Sequence, residues 1–76
     1  MSDSGETLRR DEEIYQILNE VYLALKEKGY DPISQFKGYI ISGDLGYISN
    51  YKKSRNKISK LDRGELIEVL LRGYLD

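Results

Sequence analysis

From Ile14 onward, apolar residues recur at three- and four-residue steps: Ile14, Ile17, Leu18, Val21, Tyr22 and Leu25. That spacing predicts an amphipathic helix beginning near Asp11. Asp11, Glu12 and Glu13 place negative charge at its positive end, and Lys26, Lys28 and then Gly29 mark its close. Residues 1–10 lack apolar periodicity and read as a flexible tail, which leaves 11–76 as the folded domain. Asp31-Pro32 opens a second helix with an apolar stripe of Ile33, Phe36, Ile40 and Ile41, and Gly43 closes it. Gly38, inside that helix, points to close packing. Asp44-Leu45-Gly46-Tyr47 reads as a turn or one turn of tight helix. A third helix is expected from about Ser49 to Leu61, with Tyr51, Ser54, Ile58 and Leu61 on its inner face. Asp62 and Glu65 form a capping-box-like start to a fourth, with Leu66, Ile67, Leu70, Leu71 and Tyr74 as its stripe. The fold class is therefore all-α, a bundle of four to five short helices behind a flexible N-terminal tail.

Composition narrows this picture. Seventy-six residues make one small domain, which needs help to bury enough surface. The chain has no Cys and no His, so disulfides are excluded and neither a structural metal nor a cofactor is expected. Oligomerisation is the remaining route, and the apolar last helix points to a homodimer. The net charge of -1 gives no bulk attraction to nucleic acid or membranes. No apolar run approaches the roughly 20 residues of a membrane span, and the start of the chain is polar and acidic, so membrane insertion is not expected and the expected location is cytoplasmic.

Little in the sequence carries catalytic chemistry, and the chain is read as a non-enzyme. Most carboxylates fall where helix capping explains them, and Gly43-Asp44-Leu45-Gly46 lacks the Lys-Ser/Thr of a phosphate loop. Two features stand out. Thr7, followed by Leu8-Arg9-Arg10, places a hydroxyl within a kinase's reach, as do Ser2 and Ser4. Lys52, Lys53, Arg55, Lys57, Lys60 and Arg63 form a basic stretch on a nearly neutral chain. Such a stretch is either a solvated face or a docking surface for an acidic partner, a phosphate or nucleic acid. A small nucleic-acid-binding module using the basic 52–63 helix is the alternative, against which the pI of 5.4 argues.

Several segments carry a resemblance. Glu27-Lys28-Gly29-Tyr30-Asp31-Pro32-Ile33-Ser34-Gln35 is similar to the EKGYNPxNQ segment of the IreB/ReoM family, and Gly38 to Asp44 resembles its GYLLSGD segment. Tyr47-Ile48, then Lys52, Arg55, Ile58 and Leu61-Asp62-Arg63, fall in register with its AYI and HKxARxxIRxLER segments, and Tyr74-Leu75 with its end. The likeness needs no gap from about Glu20 to Leu75. It implies a small helical homodimer with a mobile tail, phosphorylated on a tail Thr by a membrane-anchored Ser/Thr kinase and reversed by a phosphatase. It implies control of cell-wall synthesis and cell-wall antibiotic tolerance, in part of the family through Clp-dependent proteolysis of a peptidoglycan-precursor enzyme, with a regulatory or proteolysis-adaptor protein as partner. Thr7 matches the phosphoacceptor, and Arg55 and Arg63 match arginines of the family's basic face, to which Lys52 is added here as a partner-binding candidate. Asn50 and Ser59 stand where the family often has Arg, Tyr51 where His is common, and Gly64 where an acid is usual, so the basic face is thinner. On this reading a phosphate on Thr7, at the end of a flexible tail, reaches the basic face of its own subunit or of the dimer mate and displaces an acidic partner from it.

Overall fold

In the computed structural model, which describes the backbone of residues 2–76 and the side chains from Arg9 onward, the first helix, α1, runs Ser2–Lys28. It begins well before the expected start at Asp11. Glu6, Leu8, Arg9 and Arg10 are strong helix formers, which favours helical backbone upstream of Asp11. The expected tail over residues 1–10 thus lies along the first turns of α1. Met1 and the side chain of Thr7 are outside the described residues.

The inward positions of α1 run 11, 14, 18, 21, 25, alternating steps of three and four. Ile14, Val21 and Leu25 are completely buried, and Leu18 and Ala24 nearly so. Asp11 occupies the first position of the same stripe and is also buried. It is therefore a core-facing residue rather than a helix-start charge, and Arg72 of the last helix is its partner. Gly29 ends α1 with φ 94°. Its N–H bonds to the Lys26 carbonyl and that of Tyr30 to the Leu25 carbonyl, both at 3.0 Å, the paired bonds of a Schellman cap.

The second helix, α2, spans Pro32–Ser42, with the Asp31 carboxylate accepting from the Ser34 N–H and Gly43 closing it at φ 75°. Its inner face is only partly the expected one. Pro32 and Tyr39 are buried and Phe36 and Ile40 half-buried, while Ile33 and Ile41 stand 65% and 77% exposed. Gly38 packs closely, as its position in the helix implied. A Cβ there would collide with the ring of Tyr47, which lies across the helix. Tyr47 belongs to a tight 3-10 turn, Leu45–Tyr47, capped by the Asp44 carboxylate at 2.8 Å from the Gly46 N–H. Ile48, just after it, is completely buried.

The expected helix over 49–61 is broken. A 3-10 turn spans Tyr51–Lys53, and α3 covers only Ser54–Ser59. Lys52 and Lys53 both adopt left-handed backbone, φ 53° and 63°. Polar side chains divert the backbone here: Ser49 Oγ accepts from the Tyr51 N–H, and Asn50 Oδ1 from the Asn56 N–H. Ser54 and Ile58 still face inward and are completely buried, and Leu61 follows them. The last helix, α4, spans Arg63–Leu75 with Asp62 as its cap. Its core face is Leu66 and Val69, with Ile67 partly covered. The expected stripe residues Leu70, Leu71 and Tyr74 are instead 41%, 52% and 89% exposed.

All described regular structure is helical. Helix α1 is the spine, with α2, α3 and α4 packed on it. Each Ile, Leu or Val buried there contributes roughly 1.5–3 kcal/mol.

Candidate functional site

The basic stretch is brought to the surface by the broken third helix and by the start of α4, but many of its charges are already engaged. Lys52 Nζ meets Glu27 of α1 at 2.8 Å, and Lys57 Nζ meets Glu20 at 3.3 Å. The hydrogen bond to Glu27, reinforced by that carboxylate's charge, raises the Lys52 pKa above the ordinary lysine value. Arg55 donates from Nε to the Ile48 carbonyl at 2.9 Å, tying α3 to the end of the preceding 3-10 turn. Arg63 donates from Nη1 to the Ile40 carbonyl at 3.3 Å and lies against Gly43, capping the end of α2. A guanidinium has five N–H donors, so each arginine is anchored by one and presents others outward. Lys53 and Lys60 are exposed. The sequence made the number of cations plain; it did not make plain which carbonyls and carboxylates would hold them.

Thr7 stands at the far end of α1 from this face. Along a helix of about 1.5 Å per residue, it is roughly 20 Å from the level of Glu20 and roughly 30 Å from that of Glu27. Along α1, Thr7 is thus well separated from the levels at which Lys52 and Lys57 are held, whereas Arg63 stands two residues before Glu65, the partner of Arg10.

Two features were missed in the sequence. The first is an apolar groove. Ile33, Phe36, Ile40 and Ile41 of α2 line it with Leu70 of α4 and the stem of Lys37. It continues past Leu70 between Tyr15, Leu18 and Tyr22 of α1 and Leu66 of α4. Periodicity gives both stripes to the core, but only one side of each helix fits there. The second is the clasp between α1 and α4: Asp11 with Arg72, and Arg10 with Glu65. Glu65 spends its side chain on Arg10, so only half of the expected capping box forms, the Asp62 carboxylate accepting from the Glu65 N–H at 3.0 Å. Hydrogen bonding to their carboxylate partners raises the pKa of both Arg10 and Arg72.

Among the described residues, no group of three or more His, Cys, Asp or Glu side chains is placed to hold a metal ion. No helix there is long and apolar enough to cross a membrane. The described surface carries an apolar groove on one side and anchored cations on another.

Comparison with known proteins agrees with the resemblance read from the segments. A UPF0297 protein of Ruminiclostridium cellulolyticum is 51% identical over 67 residues, covering 88% of this chain and 76% of that protein. The model of the IreB regulatory phosphoprotein family matches residues 5–76, from the first turns of α1 to the end of α4, and the chain belongs to that family.

Proposed function

We propose that the protein is a cytoplasmic switch that works by protein contacts and is set by phosphorylation of Thr7. In this reading a membrane-anchored Ser/Thr kinase modifies Thr7 and a phosphatase reverses it. The protein acts as a homodimer on a regulatory or proteolysis-adaptor partner to control peptidoglycan synthesis and tolerance of cell-wall antibiotics, through Clp-dependent proteolysis of a precursor-synthesis enzyme. The observation that carries it is membership of a regulatory phosphoprotein family across a span that includes Thr7.

The two surfaces divide the work. The groove between α2 and α4 takes the second subunit. Lys52, Arg55 and Arg63 face the partner, with the arginines anchored by one N–H each and therefore already ordered for an acidic surface. Phosphopeptide mapping after treatment with a cognate Ser/Thr kinase tests the reading. Thr7 is the expected site, and modification confined to Ser2, Ser4 or residues of α2 to α4 overturns it. Arg55→Ala should fold and dimerise yet lose the partner; normal partner binding by that variant removes the basic face from the mechanism.

A further inference from the structure

Helix α4 is fastened to α1 by two forks of opposite polarity. Arg10 donates from Nε and Nη2 to Glu65 at 3.2 and 3.0 Å. The next residue, Asp11, accepts from Nε and Nη2 of Arg72 at 3.1 and 2.9 Å. One turn further, the Tyr15 hydroxyl donates to the Val69 carbonyl at 3.2 Å. The two forks differ in exposure. The Asp11 side chain is 13% exposed, whereas Arg10 and Glu65 are 45% and 35% exposed. The Arg10–Glu65 fork is therefore open to competition from a stronger anion.

Thr7 precedes Arg10 by three residues and Asp11 by four in the same helix. Those are the two spacings that make helical residues neighbours. A phosphate there brings a charge of about -1.5 to -2 and three strong acceptor oxygens. Arginine pairs with phosphate through short, often bidentate hydrogen bonds, and an intrahelical partner one turn away is reached without reordering the chain.

We infer that the Arg10–Glu65 fork is a latch opened by phosphate on Thr7, which draws Arg10 away from Glu65 and loosens the first turns of α4 from α1. The inference rests on Thr7 being the phosphoacceptor and adds where the modification acts. It acts within the modified subunit, on the helix whose Leu70 lines the apolar groove. No tether from Thr7 to Lys52, roughly 30 Å away along α1 at the level of Glu27, is then required.

The test uses the full chain with phosphothreonine encoded at position 7, so the modification does not depend on a kinase. Amide hydrogen exchange is followed along α4. Loss of one half-exposed ion pair raises exchange over Gly64–Val69 by about two- to fivefold; exchange unchanged by the phosphate overturns the latch. In Glu65→Gln, which keeps the backbone N–H held by Asp62, exchange is already raised and phosphate adds nothing. A full phosphate response in Glu65→Gln overturns the latch as well, because the effect then bypasses this fork. A kinase that ignores Thr7 counts against the proposed phosphosite alone and leaves the encoded-phosphate measurement intact.

Discussion

Asp11 and Arg72, 61 residues apart, meet in a two-bond fork that turns a buried charge at the head of the α1 stripe into a helix–helix tie. Removing one member of such a pair costs more than an exposed pair is worth, because a desolvated group is left behind. Here the group that can return to water is Arg72, whose side chain is 38% exposed. Asp11→Leu, which continues the apolar stripe, should therefore lower the melting temperature less than Asp11→Ala. Both should differ from Glu13→Ala, whose carboxylate is 58% exposed and meets Arg10 only at 3.4 Å. Thermal melts followed by circular dichroism supply the comparison. Equal losses for Asp11→Ala and Glu13→Ala would reduce the fork to a surface pair.

Two glycines with left-handed backbone separate two physical effects. Gly29 has open space where a Cβ would go, whereas at Gly43 that Cβ meets the Arg63 guanidinium. Gly29→Ala should cost about 1 kcal/mol from backbone strain alone. Gly43→Ala should cost more, since Arg63 must also leave the Ile40 carbonyl. Combining Gly43→Ala with Arg63→Ala should recover part of the excess. Urea denaturation of the native chain, both glycine variants, Arg63→Ala and the double variant reads this, and additive losses would show that Arg63 does not couple to Gly43.

Lys53 holds a left-handed backbone that ordinary residues adopt at a cost of roughly 1–2 kcal/mol. Glycine relieves that strain but loses roughly 0.5–1 kcal/mol through the freedom of its unfolded chain. Lys53→Gly should therefore stabilise the fold by about 0.5 kcal/mol. A loss of stability in urea would mean that the lysine side chain contributes more than its strained backbone removes.

The Lys52–Glu27 pair sets an alkaline dependence. The folded pKa of Lys52 lies above its ordinary value of 10.5. A raised pKa gives a contribution that is whole below the unfolded value and is lost as pH rises through the folded one. The difference in melting temperature between the native chain and Lys52→Gln should stay constant from neutral pH to about 10 and shrink above it. A difference that shrinks between pH 6 and 9 would assign the effect to another group.

How legible this was depended on what each signal reports. The α1 stripe was readable because one helix packed on three others leaves a single continuous inward line. Gly29, Asp31, Gly43 and Asp62 were readable because caps are local chemistry. Helices α2 and α4 are legible only in part: Phe36, Ile40, Leu66 and Ile67 do meet the core, but Ile33, Ile41, Leu70 and Leu71 are as apolar as Tyr39 and Val69 and do not, because periodicity gives the width of a stripe but not which part meets the core. The break at Lys52 and Lys53 left no mark, since lysine is no sign of left-handed backbone. Asp11 reads as a helix-start charge because its partner, Arg72, lies at the other end of the chain.

The misread stripes now argue for the dimer. Ile33, Phe36, Ile40, Ile41 and Leu70 form one groove, and Tyr74 stands one turn beyond Leu70. A stable interface takes about 800 Å² from each partner, about a seventh of this chain's 5325 Å² surface. A symmetric pair brings the same patch from both subunits, so an apolar face of this kind can complete itself without a second protein. Covering it is worth about 25 cal/mol per Å² before the loss of freedom on association. Ile41→Glu and Leu70→Glu each place two like charges into such an interface while leaving the 14-18-21-25 stripe untouched. Light scattering at micromolar concentration should give twice the 8.8 kDa chain mass for the native protein and the single-chain mass for both variants. Leu23→Glu, exposed on α1 and outside the groove, should remain dimeric. A native protein of single-chain mass, or a dimer that survives both groove substitutions, would remove α2 and α4 as the interface.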